Sequence, residues 1–543
     1  MAFYSILFPT PEDEAQAKDH SWLSFRMDEK RIEKYAVRGN KVVLTSRADA
    51  KDAPMRPGLY LDLNVDQIME EVLCHDADEC LTDIFYHLCP NSNCVLYRQD
   101  VMRTLEDLEA AQAFRSFLQS FVQAERLLGY GRLAHHNAQR DKYLLDGAVM
   151  YSDALRQLIE QTAGLNIRSK GLASFLNAAQ AYIQEMRFIQ LEEKAKRAKG
   201  SLERISYALR LCDGSLYVDF EPDDTDYTQA LYQDFDLTVR WGENAQEKQM
   251  EILPFRQMEL APLEALVVDA LLKKHKKTFD DARMAAQEVS ILPEPFLARF
   301  SKELRFYFLY LDTMVKLRVK GYDFAYPELN AGDDISLTDA YDMALAICGD
   351  TVVANDFILQ AGERCAVVTG ANQGGKTTFA RSIGQIAVLA SLGLPVPCNS
   401  ARLPLYSAIF SQFTKAEDAT ADNGKLMEEL QRLKAILSYA GGKTLVILNE
   451  LFSSATAQDA LDMAGRTLEM LNHSGARTVF VTHIDGLRLS NAASLVAQVQ
   501  KENGKRTYKI VRADADGHAY AHDIARRYRL TALEIGGRIA HGV

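Results

Sequence analysis

The stretch Arg364–Cys365–Ala366–Val367–Val368–Thr369–Gly370–Ala371–Asn372–Gln373–Gly374–Gly375–Lys376–Thr377–Thr378 constrains the fold of this chain more than any other segment. An apolar run of strand character ends at Gly370. The positions Gly370, Gly375, Lys376 and Thr377 fit the spacing G-x-x-x-x-G-K-[ST] without a gap. The chemistry demands those residue types. Glycines let backbone N–H groups close around phosphate oxygens, a lysine adds positive charge at the β- and γ-phosphates, and a threonine hydroxyl can ligate Mg²⁺. A helix expected from Thr378 onward turns its positive end toward the same phosphates. The segment therefore predicts strand, loop and helix in succession. Gly370, Ala371, Asn372, Gln373, Gly374, Gly375, Lys376, Thr377 and Thr378 would surround a nucleoside triphosphate.

At 543 residues the chain is too long for one core. With 48% apolar and 25% charged residues it reads as an ordinary globular protein. No run approaches the ~18 apolar residues needed to cross a bilayer, so no membrane partner is expected. The start, Met1–Ala2–Phe3–Tyr4–Ser5, lacks the build of a signal peptide. The eight cysteines are dispersed and imply no disulfide framework, which places the chain in a reducing cytoplasm. Net charge is −12, so any nucleic-acid contact must come from local basic patches.

Three segments are expected. Residues 1–100 form an α/β or helical N-terminal segment, and 101–330 a mainly helical core and lever region with a short β insertion near 215–255. Residues 331–543 form an α/β domain built on the phosphate loop. In the helical part Leu172, Phe175, Leu176, Ala179, Ile183 and Met186 recur at helical spacing, and the pattern runs on through Leu191 to Lys196. Strand signals at 216–220 and 236–240 interrupt it, and Pro293 and Pro295 mark a later break. Beyond residue 330, Cys365–Val368, Leu445–Leu448 and Thr478–Val481 each read as a buried strand followed by loop and helix, which signals a sheet with helices packed around it.

A phosphate loop needs an acidic partner at the end of another strand. Leu445–Val446–Ile447–Leu448–Asn449–Glu450 supplies the strand. Such strands usually end Asp-Glu, the Asp supporting Mg²⁺ and the Glu polarising the attacking water. Here Asn449 stands in place of the Asp, with an amide oxygen that brings no charge, so weaker Mg²⁺ binding at Thr377 and Asn449 is expected. Glu450 is the candidate base. Thr478–Val479–Phe480–Val481–Thr482–His483 ends in a histidine, and ABC-type P-loop ATPases often place a γ-phosphate-sensing histidine there.

These residues resemble the MutS family of DNA mismatch-repair ATPases. The loop 369–378 is similar to that family's TGPNMGGKST, and Val353–Ala354–Asn355–Asp356 to its "PND" opening. Leu394–Pro395–Val396–Pro397–Cys398 resembles "G-x-x-VPA", and Met427–Glu428–Glu429–Leu430 the FM-x-E-M end of its signature loop. Val481–Thr482–His483 answers to ATH, and Tyr520–Ala521–His522–Asp523–Ile524–Ala525 to SYGIHVA. The resemblance covers roughly 350–535. It implies an ABC-type ATPase domain binding ATP and Mg²⁺, with Lys376, Glu450 and His483 as catalytic residues. It also implies a homodimeric clamp on DNA in which each subunit completes the other's nucleotide site.

The departures are specific. No Phe-x-Glu wedge stands near the start, and the chain is expected to be too short for the two small N-terminal domains that carry it. The resemblance therefore does not extend to mismatch sensing. The signature loop reads Thr420–Ala421–Asp422–Asn423–Gly424–Lys425–Leu426, and Phe452–Ser453–Ser454–Ala455–Thr456 replaces G-R-G-T-S. With Asn449 these changes imply slow or altered turnover.

Weaker features have plainer readings. Cys74, Cys80, Cys89 and Cys94, with His75 and His87, lack the close pairs of a zinc site and read as free cysteines. Lys273–Lys274–His275–Lys276–Lys277, and Lys194, Lys196, Arg197 and Lys199, are either solvated helix faces or phosphate contacts. The aromatics Phe306, Tyr307, Phe308 and Tyr310 read as core. The rival to a DNA-binding ATPase is a nucleotide-gated switch with a non-DNA partner, such as a ribosome or protein complex, which the acidic net charge favours. A nuclease ranks last, for want of a clustered metal set.

Overall fold

The computed structural model describes residues 3–26, 35–38, 41–44, 58–74, 81–212, 215–220, 260–332, 334–349, 351–413, 425–484, 487, 491–500 and 506–513. Along them run α1 (Pro11–Arg26), the hairpin β1 (Tyr35–Arg38) and β2 (Lys41–Leu44), then α2 (Gly58–Asp62), α3 (Val65–Leu73), α4 (Thr82–Phe85) and α5 (Ser92–Leu105). The long helices follow: α6 (Leu108–Leu133), α7 (Asn137–Thr162), α8 (Lys170–Gln184) and α9 (Met186–Glu203). After the hairpin β3 (Ala208–Cys212) and β4 (Ser215–Asp219) come α10 (Pro262–Lys274), α11 (Lys276–Val289) and α12 (Pro295–Val319).

The remainder alternates. It runs β5 (Glu328–Asn330), β6 (Ile335–Ala340), α13 (Met343–Ile347), β7 (Asn355–Leu359), β8 (Cys365–Gly370), α14 (Lys376–Ser391), β9 (Ser400–Pro404) and β10 (Ala408–Phe413). Then come α15 (Lys425–Tyr439), β11 (Thr444–Asn449), α16 (Ala457–Ser474), β12 (Arg477–Val481), β13 (Ala492–Val499) and β14 (Arg506–Arg512).

The chain forms two compact units, neither contiguous in sequence. One comprises Met1–Phe3, Thr104–Arg168 and Leu172–Leu304, the other Tyr4–Arg103, Ser169–Gly171 and Arg305–Val543. These units do not follow the three expected segments one by one, because residues 4–103 share a unit with 305–543. The reason is visible at Arg98, which is fully buried and donates to the carbonyls of Leu7 (2.9 Å), Leu392 (3.0 Å) and His87 (3.3 Å). The buried Tyr307 hydroxyl likewise donates to the Ile6 carbonyl at 2.9 Å.

In the helical unit α6 and α7 cross closely. A Cβ on Gly147 would fall 2.9 Å from the Leu128 side chain, and one on Gly131 only 2.7 Å from that of Leu144, so a side chain at either position would push the facing leucine aside. Asp107 caps α6 by accepting the Ala110 N–H at 3.1 Å. Phe117, Phe175 and Phe300 fill the core with interlocking rings. The apolar stripe from Leu172 to Ile183 is buried as its spacing predicts, but the helix does not continue unbroken: Glu185 is extended, and Met186 is 68% exposed at the start of α9. The strand expected at 236–240 lies outside the described residues, while that at 216–220 falls in β4, paired with β3.

In the second unit six strands line up in the order β10-β11-β12-β8-β13-β14, parallel throughout except for the β13–β14 hairpin. All residues of β10, β11 and β12 are buried, as continuous apolar runs in a covered parallel sheet require. On one face Phe410, Val446, Leu448 and Phe480 form a core with Leu433 and Ile436 of α15 and Leu468 and Leu471 of α16. On the other packs α14, whose second half, from Ile383 to Ser391, is buried on every side. A smaller sheet, β5-β9-β6-β7, belongs to the same unit. Phe306, Tyr307, Phe308 and Tyr310 are all buried.

Candidate functional site

The glycine loop leaves the central strand β8 and enters α14 at Lys376, two residues before the helix start expected from sequence. Gly370 and Gly375 have φ of 113° and 90°, a left-handed backbone that the missing Cβ permits. Gly374 is needed for room instead: a Cβ there would come within 2.9 Å of both the Ala371 carbonyl oxygen and the Ala497 Cβ.

Topology brings the remaining groups to the same edge. Strand β12 lies between β8 and β11. His483, just past β12, therefore stands between Lys376 beyond β8 and Glu450 beyond β11. The Lys376 ammonium donates to the Gly370 carbonyl (2.8 Å) and the Ala371 carbonyl (3.0 Å), and lies 3.5 Å from His483 Nδ1. Since an ammonium only donates, Nδ1 is the acceptor in that contact, the arrangement of the tautomer with its proton on Nε2. Nε2 then donates to Glu450 Oε1 at 2.8 Å. Burial is the main cause holding the Lys376 pKa below the ordinary lysine value; the Glu450 carboxylate opposes this shift and Arg506 adds to it. The Thr377 hydroxyl donates to Asn449 Oδ1 at 3.0 Å.

A cavity of about 450 Å³ opens beside the loop. Gln373, Gly374, Gly375, Lys376, Thr377, Thr378 and Glu450 line it, whereas Gly370, Ala371, Asn372, Asn449 and His483 do not. Asn449 touches Thr377, and His483 touches Glu450, both of which line the cavity. The Asn372 side chain is exposed, and Gly370 is turned to the Ala497 backbone, 2.9 Å from where its Cβ would lie.

The cavity has walls that the glycine motif does not announce. Asn355, in the segment resembling the "PND" opening, accepts the Ile510 N–H through Oδ1 (2.7 Å) and donates to the Tyr508 carbonyl (3.1 Å), fixing β14 beside the loop. Tyr508 and Asp342 also line it. Asp342 caps α13 and accepts from Gln385 Nε2 at 2.8 Å, and burial raises its pKa. Glu429 of α15 was visible to sequence only as part of a motif fragment. Its buried carboxylate accepts the Phe452 N–H at 3.0 Å, two residues past Glu450, in a turn where Glu450 and Phe452 both have left-handed φ (55° and 63°).

Other singled-out groups fall elsewhere. Residues 414–424 and 514–543, with most of the signature loop and the SYGIHVA-like segment, lie outside the described residues, as do His75 and Cys80. Cys89 and Cys94 are buried and Cys74 is exposed. In the helical unit Lys194, Lys196 and Lys199 are paired with Glu288, with Asp153 and Glu192, and with Asp146. Lys273, Lys274, Lys276 and Lys277 are exposed around the α10–α11 junction.

The donor set suits a nucleotide better than a metal ion alone. The loop offers backbone N–H groups and a lysine at a cavity of nucleotide-compatible size. Thr377 and Asn449 supply only neutral oxygens, which suits Mg²⁺ when phosphates bring most of the charge. Among the described residues no group of three or more His, Cys, Asp or Glu side chains could hold a metal ion, and no helix is long and apolar enough to cross a membrane.

Helices over both faces of a mixed sheet, with a glycine loop at the head of its central strand, define an α/β domain. A family model described as MutS domain V matches residues 366–525. The DNA mismatch repair protein MutS of Thermotoga neapolitana is 31% identical over 194 residues, covering 34% of this chain and 24% of that protein. The protein of the same name from Natronomonas pharaonis is 31% identical over 205 residues, 37% of this chain and 23% of its own. That from Acetivibrio thermocellus is 29% identical over 211 residues, with 37% and 24% covered. The matched part spans about a quarter of the length of these relatives. Over this C-terminal part the chain is similar to MutS proteins.

Proposed function

We propose that this chain is an ATP-dependent DNA-binding protein of the MutS type, in which ATP binding and hydrolysis drive a homodimeric clamp on DNA. The observation that carries this reading is the line Lys376, His483, Glu450 at the ends of neighbouring parallel strands, with Thr377 held by Asn449 beside it. The similarity to proteins named for DNA mismatch repair supports DNA as the partner.

ATP would bring its own leaving group and, with Mg²⁺, the charge that organises the phosphates. The loop 370–378 would bind the phosphates through backbone N–H groups and Lys376. Thr377, oriented by Asn449, would present its hydroxyl to the metal. Glu450 would accept a proton from the attacking water, and His483, by hydrogen-bonding that carboxylate, would hold it in position until nucleotide is in place. The ABC-type arrangement further implies that a second copy completes the site.

One observation favours the rival, a nucleotide-gated switch with a protein or ribosomal partner. The lysine cluster at 194–199 is largely neutralised by acids of its own unit, and net charge is −12. A gel-shift panel with homoduplex, mismatched, branched and single-stranded DNA, with ATP, ADP and no nucleotide over a salt series, separates the two. The DNA reading expects salt-sensitive binding that differs between ATP and ADP. Indifference to all four DNAs at low salt overturns it in favour of the switch.

A further inference from the structure

One wall of the glycine loop is the β13–β14 hairpin. Ala497 of β13 occupies the space next to Gly370 and Gly374, and Tyr508 of β14 packs against Gly375. Asn355 ties β14 down at Tyr508 and Ile510. On this wall stands Arg506, whose Nη1 donates to Gln373 Oε1 at 3.0 Å. Gln373 lines the cavity, is exposed, and holds the bend of the loop with φ 57°.

A neutral, solvated amide oxygen is a modest partner for a guanidinium. That group offers five donors in a planar fork matched to paired anionic oxygens, and charge-assisted bonds are roughly twice as strong as neutral ones. The Arg506 charge also reaches the cradle, since it opposes protonation of Lys376. Two cations whose charges oppose each other are relieved when an anion binds both.

Resting on the nucleotide-site reading above, we propose that Arg506 is a phosphate-binding residue of this site. Its guanidinium exchanges the Gln373 amide oxygen for a nucleotide phosphate oxygen, so that phosphate is held by Lys376 from the loop and by Arg506 from the hairpin. Both residues that make the exchange lie outside the G-x-x-x-x-G-K-[ST] consensus positions.

Calorimetric titration of the full chain with ATP and with inorganic tripolyphosphate, at two salt concentrations, tests this. Wild type is compared with Arg506→Ala, Arg506→Lys and Gln373→Ala. Arg506→Ala should weaken both ligands about tenfold, the scale of one charge-assisted hydrogen bond, and flatten the salt dependence. Arg506→Lys should recover part of the loss. Gln373→Ala, which frees the guanidinium, should bind at least as tightly as wild type. If Gln373→Ala weakens binding as much as Arg506→Ala, Arg506 merely braces the loop and the proposal fails; it fails equally if Arg506→Ala changes nothing. Absence of ATP binding by wild type would instead remove the nucleotide-site reading itself, whatever the variants do.

Discussion

Asn449 shows how much one atom changes at this site. Its Oδ1 accepts from Thr377 as a carboxylate oxygen would, so the hydroxyl is aimed correctly, but the side chain carries no charge toward a metal. Asn449→Asp should keep the hydroxyl in place and tighten Mg²⁺ binding. Mg²⁺-dependent phosphate release is expected to rise about tenfold, the equivalent of roughly 1.4 kcal/mol in the barrier. An unchanged or slower rate in a steady-state assay would mean that this residue does not limit the metal site. Asn449 was legible because it follows a recognisable strand and precedes a glutamate. Its contact with Thr377 was not, because only the sheet order brings the end of β11 and the start of α14 to one edge.

Among elements, α15 has a role that its amphipathic pattern does not reveal. It carries Glu429 to the turn after Glu450, where the carboxylate takes the Phe452 N–H and the Glu429 carbonyl receives Gln412 Nε2 at 3.1 Å. Glu429→Ala leaves a buried N–H without its partner, a cost of about 1–3 kcal/mol. It also frees the turn that presents Glu450, so turnover should fall while ATP affinity is retained. Unfolding curves and a comparison of kcat with nucleotide Kd check both parts.

Helices α7 and α9 are joined by Arg156, which donates through Nε to Glu192 at 2.8 and 3.0 Å. This hydrogen bonding is the main cause holding the Glu192 pKa below the ordinary carboxylate range. A carboxylate whose folded pKa is depressed contributes stability that is present above its unfolded pKa and is lost as pH falls through the folded value. Glu192→Gln should therefore cost about 1 kcal/mol at neutral pH, a modest figure because Arg156 is 44% exposed. The gap to wild type should close in acid, which urea titrations across pH 3–7 would reveal as converging midpoints. A constant gap would place the loss in packing instead.

At the scale of the whole molecule, the unit that contains the candidate site is assembled from both ends of the described chain. Arg98 is its staple: a fully buried cation bonded to carbonyls and set 4.6 Å over the Phe8 ring. Arg98→Ala would strip three carbonyls of a donor and leave a cavity, a loss of about 2–4 kcal/mol. It should also make the segment around Leu7 cleavable in limited proteolysis before the rest. Equal resistance of mutant and wild type would mean that the Tyr307 hydroxyl contact with Ile6 suffices. A division into 1–100, 101–330 and 331–543 follows changes of texture along the sequence, and texture carries no record of which distant segments share a core.

The sequence alone determined the chemistry on offer. Glycine, lysine and threonine at fixed intervals constrain backbone and charge locally, and apolar runs of strand length announce a covered parallel sheet. Tertiary structure decided which of those groups meet. Sheet order set His483 between Lys376 and Glu450, and a hairpin closing beside β8 brought Arg506 and Tyr508 to the loop. A buried arginine drew residues 4–103 into the same core. Each of these depends on contacts between residues far apart in the chain, which local spacing cannot encode.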